Sequence, residues 1–275
     1  MNVRLISYAT KPFYKSQYLL KRSAYKYGIT DVVSFTDKWL KQQHPFYEKN
    51  INILTQKRGA GFWLWKPYII FEALKDLAED DVLIYIDSGT AIIDSLKTLI
   101  RITQEKGIVL FYNDGHKNNS YTKRDCFFLM DCDQPEFHNG WQVVGGYIFI
   151  KNTLFNRNLI KEWLEYASDE RIITDNPNRC GFENFSNFKD HRHDQSILSL
   201  LAHKYQFELF RDPSQWGNKY KMHNLRETGE FFHDGYAEKS MVNSPYPTVL
   251  NSHRTALRMT MAETVSYYFK LFFGK

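Results

Sequence analysis

The chain has 275 residues, with 43% hydrophobic and 24% charged side chains, which suits one large globular domain with a sizeable core. Its formal net charge of +5 is mild and diffuse. It excludes a dedicated nucleic-acid binder and suits an anionic small ligand or an anionic membrane surface. No apolar run is long enough to span a membrane as a helix. Cys126, Cys132 and Cys180 form no CxxC or disulfide pattern, as expected in a reducing cytoplasm.

Val3–Tyr8 reads as a first strand, entered with no signal-peptide pattern before it. Phe13–Tyr27 has helical spacing and stops at Gly28. Asp31–Phe35 is a short β-branched strand, and Pro67 opens a helix to about Ala78. Val82–Ile86 is a continuous apolar run, the mark of a strand buried on both faces of a parallel sheet. A helix over Asp94–Lys106, a strand over Ile108–Tyr112 and a strand over Val143–Ile150 follow. Helices over Phe155–Ala167 and His193–Tyr205 and a strand over Gln206–Phe210 complete the pattern. The alternation predicts an α/β fold with a mostly parallel central sheet flanked by helices. Residues 168–192 and 211–254 are polar, irregular and long, as functional loops often are.

Asp87 ends the Val82–Ile86 run and is followed by Ser88 and Gly89. Ligands of open α/β sheets bind outside the carboxyl ends of strands, and a carboxylate there can hold a divalent ion against a diphosphate. The octet alone is equally compatible with a turn aspartate. Lys57-Arg58-Gly59-Ala60-Gly61-Phe62-Trp63-Leu64-Trp65-Lys66-Pro67-Tyr68 is the second unusual segment. Its glycines allow close backbone approach, its cations can neutralise phosphate, and the helix that follows adds a positive end. On an extended strand Trp63 and Trp65 would face opposite sides; an aromatic core turn is the plainer reading. Aromatic residues make up 16% of the chain, and they can line a sugar or base cleft as well as fill a core. Asn113-Asp114-Gly115-His116 reads as a hairpin turn, and Asp131-Cys132-Asp133 as the start of a surface loop.

The order of these pieces resembles a GT-A glycosyltransferase, closest to the small bacterial transferases of capsule and O-antigen assembly. The resemblance covers roughly residues 2–210. Ser7-Tyr8-Ala9 matches the place where such enzymes hold the nucleotide, and Asp87-Ser88-Gly89 matches the DxD motif. Asn139-Gly140-Trp141-Gln142-Val143-Val144-Gly145-Gly146 is similar to the strand that lines the donor sugar, and His191-Arg192-His193-Asp194-Gln195-Ser196 to an Asp-Gln element that opens a helix.

The resemblance implies transfer of a hexosyl group from a nucleoside-diphosphate sugar, UDP-linked, to a hydroxyl of a growing surface polysaccharide or lipid-linked glycan. It places Ser7, Tyr8, Arg58, Lys66, Asp87, Ser88, Gly145 and Gly146 on the donor, and Trp141, His193 and Gln195 on the acceptor. Trp63 is a second candidate for stacking on a sugar ring. Asp194 acts as general base, or orients the acceptor, or only caps its helix. Mn²⁺ or Mg²⁺ sits on Asp87 with a histidine from the C-terminal region, His253 first and His233 second. Gly89 replaces the second carboxylate of DxD, so transfer without a metal, with Lys66 or Arg58 on the diphosphate, is the alternative.

Residues 1–254 form the expected catalytic domain. Residues 255–275 form an expected amphipathic helix: Leu257, Met261, Val265, Tyr268 and Phe272 recur at helical spacing among Arg254, Arg258, Lys270 and Lys275. That pattern suits a peripheral protein on the cytoplasmic face of the inner membrane, or a last helix packed on the domain or a partner. Two other functions compete. One is a metal-dependent phosphodiester hydrolase using Asp87, His191, His193 and Asp194; the other is a non-catalytic nucleotide-sugar or glycan binder.

Overall fold

A computed structural model describes residues 1–217 and 243–253. The expected helix over 255–275 and His233 lie outside the described residues. No helix among the described residues is long and apolar enough to cross a membrane.

A seven-stranded sheet forms the centre. Its strands are β1 (Val3–Ala9), β2 (Asp31–Thr36), β3 (Val82–Ile86), β5 (Ile108–Lys117), β6 (Trp141–Val143), β7 (Tyr147–Lys151) and β8 (Leu209–Phe210). A separate pair joins β4 (Thr90–Ile92) to β9 (Leu250–Ser252). The order in the main sheet is β2-β1-β3-β7-β5-β6, with β8 also pairing β5. β1, β2, β3, β5 and β8 share one direction, and β6 and β7 oppose it. The α/β class and the mostly parallel sheet are therefore as expected.

The strand pattern explains the two cores. Leu83 and Tyr85 of β3 face one side, with Ile69 and Ile70 of the Trp65–Lys75 helix, Trp163 of the Leu154–Ala167 helix and Leu198 of the Asp194–Lys204 helix. Val82, Ile84 and Ile86 face the other, with Leu20 of the Tyr14–Lys26 helix and Leu99 of the Lys97–Lys106 helix. All five β3 residues are fully buried, as a strand between two helix layers requires.

Several local expectations are corrected. The expected strand over Val143–Ile150 is two strands. Val143 pairs Tyr112 and Phe149 pairs Val109, so residues 144–146 are extra relative to β5 and bulge out. Residues 113–116 are not a hairpin turn; they continue β5. The helix expected to open at Pro67 begins at Trp65, which makes Lys66 its second residue. Residues 59–63 are not extended. Gly59, Ala60, Gly61, Phe62 and Trp63 have φ of 57°, 51°, 99°, 50° and 59°, a left-handed turn. Phe62 N–H donates to Arg58 O at 2.8 Å across it.

Candidate active site

β1 and β3 are parallel, with Ile6 opposite Tyr85, so Tyr8 and Asp87 emerge together at the carboxyl rim. A cavity of about 480 Å³ opens there. Tyr8 stacks on Trp65 with ring centroids 4.0 Å apart and planes at 20°, giving the cavity an aromatic wall. Asp87 N–H donates to Gly146 O at 2.7 Å, so the bulge in the β6–β7 path holds the end of β3.

The central charge is Lys66, which is 3% exposed. Its Nζ lies 2.7 Å from Asp194 Oδ2 and 3.9 Å from Asp87 Oδ1, and it donates to Gly145 O at 2.8 Å. The Tyr85 hydroxyl donates to Asp87 Oδ1. Burial pushes the Asp194 carboxyl up to about 6, against the opposing pull of Lys66. Two carboxylates far apart in sequence are thus joined through one ammonium at one cleft.

The facing wall is the left-handed turn against residues 174–193. Left-handed backbone costs about 1–2 kcal/mol per non-glycine residue, so Ala60, Phe62 and Trp63 hold strain that the surroundings must offset. Arg58 donates to Asp190 at 2.7 and 2.8 Å and to Asp175 at 3.0 Å. The His193 ring stacks 5.5 Å from Trp63 and lies 4.9 Å from Phe62. The wall is anchored behind: Lys123 Nζ donates to Asn176 O at 2.6 Å, and Asp125 Oδ1 accepts from Arg179 and Cys180 N–H, both at 2.8 Å.

No protein-family model matches the sequence, and no curated protein matches it. Solved structures do match in shape. WbbM, a bifunctional glycosyltransferase in its apo form, aligns with a TM-score of 0.50 at 12% identity, over 92% of this chain and 46% of its own. The chain has the GT-A fold. Mouse xyloside xylosyltransferase 1 aligns at 10% identity and a TM-score of 0.46, over 92% of this chain and 98% of its own. Galactosyltransferase LgtC, in complex with donor and acceptor sugar analogs, aligns at 11% identity and a TM-score of 0.46, over 91% and 87%.

On this GT-A frame Tyr8, Arg58, Lys66, Asp87, Ser88, Gly145, His193, Asp194 and Gln195 line the cleft, together with Trp63. Four expected site residues do not line it. Ser7 is buried and accepts from Gln17 Nε2 at 3.2 Å. Gly146 meets the site through its carbonyl on Asp87. Trp141 sits on β6 under the Lys117 ammonium, 3.5 Å from its ring centroid. His253 is 6% exposed beside the rim, its N–H donating to Gly89 O at 2.8 Å, and burial lowers its imidazole pKa. Asp131-Cys132-Asp133 lies off the cleft as well, and Asp133 pairs with Arg124 and His138.

The described donors do not fit a resident metal ion, which GT-A enzymes commonly use. No group of three or more His, Cys, Asp or Glu side chains among the described residues is placed to hold one. Asp87 is one carboxylate, and a cation on its Oδ1 would face the Lys66 ammonium. Of the residues the hydrolase reading names, His191 is committed elsewhere. His191 commits both ring nitrogens, accepting from Lys123 N–H at 3.2 Å and donating to Ile172 O at 2.8 Å. His193 donates from Nδ1 to Ile173 O at 2.7 Å.

Residue reasoning missed Thr10, Phe13, Ala60 and Arg192 in the lining, and Tyr85 as the partner of Asp87. Tyr85 carried a signal: a hydroxyl inside an otherwise aliphatic run, two residues before the carboxylate, lies on the same side of a strand. Thr10 and Phe13 carried none, because they join the cleft only through where β1 ends.

Proposed function

We propose that the protein is a glycosyltransferase that moves a hexosyl group from a nucleoside-diphosphate sugar, a uridine one, to an acceptor hydroxyl. The observation that carries this reading is the joining of Asp87 and Asp194 through Lys66 at the carboxyl rim of a GT-A sheet. A carboxylate whose pKa is pushed up to about 6 is matched to general-base work near neutral pH. Asp194 takes the proton of the acceptor hydroxyl as its oxygen bonds to the sugar C1. The C1–oxygen bond to the diphosphate breaks, and the leaving group departs with the electron pair. Lys66 offsets the growing negative charge from a water-poor position, where a fixed cation acts most strongly. Tyr8 and Trp65 offer the nucleotide a stacking wall, and Gly145 leaves space for the sugar.

The acceptor in this reading is a growing surface polysaccharide or lipid-linked glycan, from the resemblance to capsule and O-antigen transferases. Docking on the inner membrane rests on the sequence pattern over 255–275. Release of nucleoside diphosphate from a panel of nucleotide-sugars, with added Mn²⁺ and with EDTA, tests the proposal for the wild type, Asp87→Asn and Asp194→Asn. Donor turnover that falls at least about tenfold in both variants supports it. Equal turnover in all three proteins overturns it.

A further inference from the structure

Four cations line the cleft: Lys57, Arg58, Lys66 and Arg192. Two are already neutralised. Lys66 is held by Asp194, and Arg58 takes both oxygens of Asp190 and one of Asp175. That leaves Arg192 with Asp190 only at 3.9 Å, and with Nε buried and lacking any hydrogen-bond partner. Lys57 forms no ion pair among the described residues. Buried donors are normally satisfied, so this orphaned Nε–H on a cleft-lining arginine calls for a ligand.

Arg192 is also held ready. Its guanidinium lies 5.0 Å from the centroid of the Tyr121 ring, and its backbone N–H donates to Tyr121 O at 3.1 Å. A planar, fixed fork recognises carboxylate or phosphate better than a free lysine does. In sequence it stands two residues before Asp194, on the wall of residues 174–193 and not on the β3 rim.

We infer that Arg192, with Lys57, forms an anion subsite for the acceptor, and that the acceptor sugar carries a carboxylate or a phosphate monoester. The inference rests on the transferase reading and specifies its acceptor class. An acceptor bound there presents its charge to Arg192 and its hydroxyl to the neighbouring Asp194.

Calorimetric binding of methyl glucuronide, glucose 6-phosphate and neutral methyl glucoside tests it, using the full chain at low salt with and without saturating UDP. The two charged sugars represent the two sources of the anion. Binding of at least one of them that is retained with UDP, exceeds that of methyl glucoside and weakens about tenfold in Arg192→Gln supports the subsite. Arg192→Lys, which keeps the charge but loses the fork, should be intermediate, and it covers the case in which Arg192→Gln fails to fold. Equal binding of charged and neutral sugars, no binding, or no change in Arg192→Gln overturns it. Displacement by UDP would give Arg192 to the donor diphosphate and also overturn it. Donor turnover in the wild type reports on the transferase reading separately, so the two failures are distinct.

Discussion

Lys66 Nζ lies 2.7 Å from Asp194 Oδ2, and both side chains are under 5% exposed. The pair joins the start of one helix to the start of another across the cleft. Buried ion pairs add little net stability, but losing one partner leaves a bare charge in the interior. Lys66→Met should therefore destabilise the fold by about 3–5 kcal/mol, read by urea denaturation. Lys66→Met with Asp194→Leu should recover most of that loss. A single variant as stable as the wild type would refute the uncompensated charge.

The Asp194 carboxyl is raised by burial, from 3.8 to about 6. A raised carboxyl keeps its proton in the folded chain where the unfolded chain has lost it. Its contribution is full below pH about 4 and is lost as pH rises to about 6, a fall of about 3 kcal/mol at 1.36 kcal/mol per unit. Asp194→Asn should remove that component from the stability profile. Activity should run the other way, with an acid limb near pH 6, because only the ionised form accepts a proton. A limb near pH 4 would place the base elsewhere.

Gly61 has φ +99°, and a Cβ there would stand 2.7 Å from Leu54 Cα. Gly28 has φ +85° with nothing within 4 Å of its would-be Cβ. Both alanine variants bear left-handed strain of about 1–2 kcal/mol, but only Gly61→Ala also collides with backbone. Gly61→Ala should lower Tm further than Gly28→Ala, and should lose activity as Arg58 and Trp63 shift. Equal Tm losses would show that the turn yields easily.

Arg58 holds Asp175 and Asp190 with side chains 35–42% exposed. Pairs this open to water couple weakly, so a double-mutant cycle of Arg58→Ala with Asp190→Asn should give under about 1 kcal/mol. The visible effect should be kinetic, a higher KM as the two halves of the wall separate. An unchanged KM would mean that the latch does not shape the cleft.

Some of this was legible in one dimension. The apolar run Val82–Ile86 announces a strand buried on both faces because no water-facing side chain interrupts it. A carboxylate closing that run has to stand at the rim. The left-handed turn was not legible: Ala60, Phe62 and Trp63 have no intrinsic taste for positive φ and adopt it because Arg58, His193 and the packed rings over-determine it. Likewise β7 sits antiparallel between β3 and β5, which strand composition does not encode.

Sequence by itself therefore determined the α/β class, the helix faces and the place of Asp87 at a strand end, because these follow from local periodicity and chain direction. Tertiary structure alone decided that Lys66 would meet Asp194, that Arg58 would meet carboxylates and that Arg192 Nε would be left without a hydrogen bond. Pairings of charge depend on which distant segments share a low-dielectric space, and only packing sets that.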